Sequence, residues 1–461
     1  MAHVLCTTTG LAGMLHASLQ VARRLIAAGH RVTYACPLDV ADVVRAAGVA
    51  YVQLPPIDFD PAPQVDTHGG RLGRKLTELR TAGERRRAGV AALRTDAFER
   101  LLQEAEPDLV LLDLELDELI LTATRAARRV ALISPFFAHE KRAGLPPLDS
   151  DVVPGSGWRG PRIGLELEWL RARTRRRRAI ARTWTRYHGT DRRGVLLELA
   201  GEVGFPRTRL GQLDFGTVFT YRGLPKLSMT ARELDFPHDE LSGFEYMGPM
   251  VRPSAGDPRV DERARAEVAR ELDDAERAGS PVVHASVTSM RTDDGGLPGV
   301  LPRLVEAARR RPDWTLVLGL GGRADADLGS ALPPNAHAFR WLPQLDVVAR
   351  AACSVHHGGI HTIHECVAHE VPMLVASGRR FDQDGNTARV VHRGRGVAAD
   401  PVRDDAEALV GRIAGLLEDD RCRARLATMR ESFERYASER RLECAVDSLL
   451  SASGRSSSGS S

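Results

Sequence analysis

The stretch His356-His357-Gly358-Gly359-Ile360-His361-Thr362-Ile363-His364-Glu365 decides the architecture of the chain. It begins where residues 353–356 form a short run typical of a buried strand, and it continues into a pattern typical of a helix. Two glycines between a strand and a helix predict a tight turn, because glycine lets the backbone approach a ligand closely. The first turn of the helix offers unpaired N–H groups and a positive dipole end, which favour a bound phosphate.

Alternating strands and helices extend outward from this segment in both directions. Strand patterns lie at 3–8, 31–35, 107–113 and 129–134, and again at 281–287, 314–318, 338–341 and 373–376, with helical patterns at 18–28, 298–309 and from residue 361. Such alternation predicts parallel sheets covered by helices. We therefore expect an α/β protein with two doubly wound domains.

Changes in composition along the sequence divide the chain into regions. Residues 1–235 are expected to form the N-terminal domain and 259–430 the C-terminal domain, joined by a Pro- and Gly-rich linker at 236–258. Residues 431–451 are predicted to form a helix that returns to the N-terminal domain. The Ser- and Gly-rich end, 452–461, is predicted to be disordered.

Composition excludes several classes of protein. The 461 residues are 43% hydrophobic and 27% charged, which excludes a disordered chain. The net charge of +3 is too small to create an overall positive field that would attract nucleic acid. The six cysteines form no C-x-x-C pair, so reduced thiols and a cytoplasmic location are expected. Without a secretory signal pattern or an apolar run of about 20 residues, no integral membrane association is expected.

Further motif elements stand at fixed distances from the opening segment. The chain reads H-x-G-x-x-[ST]-x-x-E followed by P, D-Q and N, with W-x-P-Q upstream, at His357, Gly359, Thr362, Glu365, Pro372, Asp382, Gln383, Asn386, Trp341, Pro343 and Gln344. In this order the chain resembles the family 1 nucleotide-sugar glycosyltransferases of the bacterial natural-product type, such as macrolide and carotenoid glycosyltransferases. The resemblance implies a GT-B fold, in which two Rossmann-like domains face each other across a cleft.

The resemblance also implies roles for these positions in binding a nucleotide-sugar donor. Trp341 is expected to stack on the base, Gln344 to contact base or ribose, and Glu365 to hold the ribose hydroxyls. Asp382 and Gln383 are expected to contact the sugar. The diphosphate is expected to lie against His357, Gly358, Gly359, Thr362, Ser286 and Ser289.

The acceptor side departs from the pattern. In the family, a histidine after the first strand removes the proton from the acceptor, but the matching position in the loop Gly13-Met14-Leu15-His16 is Met14. A thioether cannot act as a base. Three explanations stay open: His16 serves as the base, a carboxylate serves (Asp113, with Glu115 nearby), or the chain has weak or no transferase activity.

The expected reaction is transfer of a sugar from a UDP- or TDP-sugar to a small hydrophobic acceptor, with inversion and without a metal or other cofactor. The expected partners are the donor and the acceptor, and the chain is expected to be a monomer or homodimer. A non-catalytic nucleotide-sugar-binding homologue, or an activator of a partner glycosyltransferase, is the alternative. A zinc site formed by His357, His361 and His364 on one helix face is a further possibility.

Overall fold

The computed structural model describes residues 1–57, 71–93, 95–127, 129–251, 260–287, 297–322, 328 and 331–451. The N-terminal half contains β1 (His3–Thr7), α1 (Ala12–Ala27), β2 (Arg31–Cys36), α2 (Ala41–Ala46), β3 (Ala50–Gln53), α3 (Arg71–Ala92), α4 (Asp96–Ala105), β4 (Leu109–Asp113), α5 (Asp117–Ala126), β5 (Val130–Ser134), α6 (Arg162–Tyr187), α7 (Arg192–Glu202), β6 (Leu210–Gly211), β7 (Thr220–Tyr221), β8 (Lys226–Ser228) and β9 (Phe244–Tyr246). Short 3₁₀ turns lie at Arg207–Arg209 and Arg232–Leu234.

The C-terminal half has the same kind of alternation. It contains α8 (Glu262–Ala278), β10 (Val282–Ser286), α9 (Leu297–Arg310), β11 (Thr315–Gly319), β12 (Ala336–Phe339), α10 (Gln344–Val348), β13 (Cys353–His356), α11 (Ile360–Ala368), β14 (Met373–Val375), α12 (Gln383–His392), β15 (Gly396–Ala398), α13 (Ala406–Leu417), α14 (Asp420–Ser438) and α15 (Arg441–Ser451).

Two parallel sheets organise these elements. The first has the order β3-β2-β1-β4-β5-β8-β9 and the second the order β12-β11-β10-β13-β14-β15. Strand order reverses between β1 and β4 in one sheet and between β10 and β13 in the other. Ligands of doubly wound sheets bind at such points, beyond the carboxyl ends of the strands.

The central strands are continuous apolar runs because helices cover both faces of each sheet. Every residue of β1, β4 and β11 is buried. The last helix, α15, packs on the N-terminal half, where Leu442 and Val446 join the core that contains Val4 of β1. An ion pair of 2.8 Å between Arg24 of α1 and Glu443 of α15 holds the two helices together.

A buried charge cluster joins the two halves. The Asp235 carboxylate accepts hydrogen bonds from Arg389 Nε of α12 at 2.7 Å, from Tyr246 Oη at 2.9 Å and from Arg142 Nη2 at 3.3 Å. Asp235 is 0% exposed and Arg389 is 3% exposed. Burial alone would raise the pKa of Asp235, but the charge of Arg389 holds it well below its ordinary value. The guanidinium of Arg389 also lies 4.7 Å from the centroid of the Phe236 ring.

Several elements differ from the sequence-based expectation. The predicted linker 236–258 contains β9, which pairs with β8 as the edge strand of the first sheet. Helix α1 begins at Ala12, so Gly13, Met14 and His16 lie in its first two turns and not in a loop before residue 18. Residues 452–461 lie outside the described residues, as does Ser289.

The basic stretch at 162–193 is divided between α6 and α7. The break falls at His188 and Gly189, which both have positive φ. Among the arginines of α6, Arg173 pairs with Asp214 and Arg176 with Asp149. In the described ranges, neither this helix nor any other combines the length and apolar character needed to cross a membrane.

Candidate active site between the two sheets

A cavity of about 470 Å³ lies between the carboxyl ends of the two sheets and is lined from both halves. The predicted site residues that line it are Gly13, Met14, His16, Asp113, Ser286, Trp341, Gln344, His357, Gly359, Thr362, Glu365, Asp382 and Gln383. The sequence therefore selected side chains that the fold brings together from positions more than 300 residues apart in the chain. Ser289 lies outside the described residues. Gly358 is not among the residues that line the cavity.

Gly358 forms the turn between β13 and α11. Its φ of 89° is in the left-handed region that favours glycine. Its N–H donates to His356 Nδ1 at 3.1 Å, and its carbonyl accepts from Asn386 Nδ2 at 2.9 Å. The bond from Asn386 joins the turn to α12, which begins at Gln383 of the predicted sugar-binding pair.

His357 and the start of α11 form the predicted phosphate end of the cavity. A Cβ added to Gly359 would lie 2.7 Å from His357 Nε2, so the absence of a side chain at Gly359 gives the imidazole its position. Burial lowers the pKa of His357 to about 4, which keeps the ring neutral. Within the described ranges its Nδ1 atom has no hydrogen-bond partner. The ring can therefore donate one hydrogen bond to an anion.

A polar chain connects three elements at the predicted ribose position. Ser286 Oγ at the end of β10 donates to Gln344 Oε1 at 3.0 Å. The Gln344 amide donates in turn to the Glu365 carboxylate and, at 3.5 Å, to Thr362 Oγ1. The carboxylate of Glu365 is thereby held at a defined position in the cavity wall, where it can accept hydrogen bonds from hydroxyl groups.

Trp341 follows β12 and presents a half-buried indole to the cavity. The ring packs against the turn at Gly321 and Gly322, both with positive φ. A Cβ at Gly322 would lie 2.5 Å from the Trp341 ring atom Cζ2. The glycine thus permits the close contact that holds one part of the indole in place.

Asp382 and Gln383 lie where α12 begins. Asp382 is 7% exposed, and its Oδ2 accepts from Asn386 Nδ2 at 2.8 Å. Burial raises the pKa of Asp382 to about 6. The Gln383 Oε1 atom accepts from the N–H of Gly378 at 2.9 Å, which anchors this side chain to the preceding loop.

On the predicted acceptor side, Asp113 holds together the loops that follow β1 and β4. Its Oδ2 accepts from the N–H and the hydroxyl of Thr9, at 3.1 and 3.0 Å, and its Oδ1 accepts from the N–H of Glu115 at 3.1 Å. Burial raises its pKa, since the side chain is only 2% exposed. Met14 is buried and His16 is half-buried on the same side of the cavity.

Sequence reasoning missed a contact between the two halves in the wall of the cavity. A Cβ on Gly13 would lie 2.8 Å from His361 Cδ2, so α1 and α11 meet at this glycine. Burial lowers the pKa of His361 to about 4. Phe381, with a φ of 48°, also lines the cavity and was not singled out. Nothing in the local sequence signals these contacts, because the partners lie far apart in the chain.

His361 and His364 of α11 contact each other edge to face, with ring centroids 6.1 Å apart, but they have different partners. His361 lies against Gly13, whereas His364 Nε2 is hydrogen-bonded to Thr230 Oγ1 at 2.7 Å. Across the described part of the chain, no group of three or more His, Cys, Asp or Glu side chains is arranged to hold a metal ion.

The chain is similar to several known proteins. The model of the family described as "Erythromycin biosynthesis protein CIII-like, C-terminal domain" matches residues 304–440. Demethyllactenocin mycarosyltransferase of Streptomyces fradiae is 27% identical, with 98% of this chain and 87% of the relative covered. Oleandomycin glycosyltransferase of Streptomyces antibioticus is 28% identical, over 89% and 83%. The solved glycosyltransferase of kitacinnamycin superposes with a TM-score of 0.65 at 23% identity, over 97% of this chain and 99% of that one.

The two facing sheets, the cleft between them and the solved neighbour define the GT-B fold, as the sequence predicts. The family model and the two relatives show that the chain is similar to bacterial natural-product glycosyltransferases.

Proposed function

We propose that the chain transfers a sugar from a UDP- or TDP-sugar to a small hydrophobic natural product, with inversion at the anomeric carbon and without a metal. One observation carries the proposal: a single cavity is lined by the start of α11 at Gly359 and Thr362, by the Glu365 carboxylate and by the buried Asp382. The full-length relatives named as mycarosyl and oleandomycin transferases support a natural-product acceptor.

The walls of the cavity fit the two substrates differently. The C-terminal half supplies polar groups for the donor, as described above. The N-terminal half and the segment that follows it supply mostly apolar side chains, namely Leu11, Met14, Pro135, Phe136, Met250 and Val251. An apolar wall with few polar groups suits a hydrophobic acceptor.

The proposed chemistry is a direct displacement. The acceptor oxygen attacks the anomeric carbon while the bond to the β-phosphate oxygen breaks. Charge develops on the departing diphosphate, and the N–H groups at the start of α11, with Thr362 and His357, are preorganised donors for that charge. Asp113 is proposed to position the loops after β1 and β4, because both of its oxygens are used in that way. Two other titratable side chains, His16 and Glu115, line the same side of the cavity and are the candidates for the base.

Replacing His357 by alanine is expected to weaken binding of UDP or TDP by about 1–3 kcal/mol, the value of a hydrogen bond to a charged group. Calorimetric titration of both nucleotides measures this loss. His369→Ala, on the exposed end of α11, is the matched control and should bind like the wild type. If a folded wild-type protein binds neither nucleotide, the proposed function is wrong.

Chelation of metal ions is expected to leave transfer unchanged, because the diphosphate charge is met by the helix start and by neutral donors. The measurement is the initial rate of sugar transfer with and without EDTA, after dialysis. A rate that falls with EDTA and returns with Mg²⁺ or Mn²⁺ would contradict metal independence. Donor binding is tested separately, by the titration described above.

A further inference from the structure

We propose that Glu115 is the catalytic base that removes the proton from the acceptor hydroxyl. This inference rests on the proposed function and adds the group that Met14 cannot supply. Glu115 follows β4 by two residues, at the point where strand order reverses, and its side chain lines the cavity.

The backbone of Glu115 is held in place. Its N–H donates to Asp113 Oδ1 at 3.1 Å, and the other oxygen of Asp113 is bonded to Thr9 in the loop after β1. Asp113 therefore acts as a positioning residue, which fixes the loop that carries Glu115. Within the ranges that the structure covers, no hydrogen bond occupies the Glu115 carboxylate, so its oxygens are available to an acceptor.

The position of Glu115 relative to the donor favours this role. The charge of Asp382, across the cleft at the predicted sugar subsite, acts on the Glu115 carboxylate, as does the charge of Asp113 on its own loop. Glu115 and Asp382 line the same cavity, so the carboxylate shares it with the subsite where the sugar is expected to lie. An acceptor entering between Glu115 and the sugar would have its hydroxyl next to both the base and the anomeric carbon.

The surroundings also tune the carboxylate. Burial, with the charges of Asp113 and Asp382, raises the pKa of Glu115 to about 7. A base acts best when its pKa lies near the working pH. The other titratable groups in the cavity wall are His16 from α1 and, from α11 and the turn before it, His357, His361, His364 and Glu365.

The step balances as follows. The acceptor O–H bond breaks, and its proton moves to the Glu115 carboxylate. The oxygen lone pair forms the new bond to the anomeric carbon, and the electrons of the breaking bond leave with the β-phosphate oxygen of the diphosphate. The carboxylic acid then returns its proton to solvent, so no further reactant is needed.

The test uses two acceptor probes with the full-length protein and either TDP-glucose or UDP-glucose. One probe is an aliphatic alcohol, which needs a base, and the other is 2-chloro-4-nitrophenol, which is already ionised at about pH 8. Glu115→Gln should lower kcat for the alcohol by about 10²–10⁴-fold and leave transfer to the phenolate within a few-fold. Glu115→Asp should restore part of the lost rate.

The pH profile provides a second readout. In the wild type, kcat/KM for the alcohol should rise with pH through about 7, as Glu115 loses its proton. Glu115→Gln should abolish this limb, whereas His16→Asn should retain it. The proposal is overturned if Glu115→Gln slows both probes equally, or if His16→Asn abolishes the limb and Glu115→Gln keeps it.

The failure of this inference is distinguishable from failure of the proposed function. Titration with TDP and UDP reports the donor site without any acceptor, and Glu115→Gln should bind both nucleotides like the wild type. A wild-type protein that binds nucleotide and transfers to the phenolate, together with a Glu115→Gln variant of unchanged rate on the alcohol, would refute only the role of Glu115. A protein that transfers to neither probe nor to water would overturn both.

Discussion

Replacing Asp235 by alanine is expected to lower the free energy of unfolding by about 3–5 kcal/mol. The carboxylate is the buried partner of Arg389, and removing it leaves a guanidinium that is 3% exposed without its counter-charge. Breaking a buried pair from one side costs this much because the remaining charge stays desolvated. Urea unfolding followed by circular dichroism measures the change.

The control for Asp235→Ala is Asp239→Ala, four residues later, at an exposed position. It should change stability by no more than about 0.5 kcal/mol, as for most surface substitutions. A loss below about 1 kcal/mol in Asp235→Ala would show that the cluster does not hold the halves together in solution.

Glu115→Gln is expected to stabilise the folded protein at alkaline pH. The pKa of Glu115 is raised by burial from 4.5 to about 7, so the folded state keeps its proton to higher pH than the unfolded state. Ionisation therefore costs stability progressively between about pH 4.5 and 7, and the cost is constant above that. Removing it should add about 1–3 kcal/mol at about pH 8, with partial exposure reducing the value.

Thermal unfolding of wild type and Glu115→Gln at a series of pH values tests this expectation. The difference in stability should be near zero below about pH 4.5 and reach its plateau above about pH 7. Glu104→Gln changes an exposed glutamate in α4 and should give no pH-dependent difference. A constant difference at all pH values would assign the effect to packing and not to ionisation.

The residues of the predicted donor side could be selected from the sequence because they lie in local patterns. His357, Gly359 and Thr362 lie in one turn between a strand and a helix, and the dipole and free N–H groups of that turn follow from the backbone alone. The same reasoning predicted parallel sheets, since buried strands alternate with amphipathic helices. The structure brings these residues into the one cavity.

The remaining features depend on partners that are distant in the sequence. Gly13 is predicted to be a turn residue, but in the structure its missing side chain leaves room for His361 of the other half. The short strand β9 lies in a Pro- and Gly-rich stretch and forms only because β8 offers an edge. The environment of Glu115 includes Asp382, more than 260 residues away. Local periodicity cannot report such pairings.

Helix α12 has consequences for recombining this protein with its relatives. Its first residue, Gln383, lines the cavity at the predicted sugar subsite, and six residues later Arg389 binds Asp235 of the other half. Gly385 packs so tightly on the Leu148 carbonyl that a Cβ would lie 1.8 Å from it. A chimera that exchanges one half to change sugar choice therefore needs the recipient's counterparts of Asp235 and Leu148 to match the incoming helix. Without that match, grafted sugar selectivity would come with a misaligned cleft.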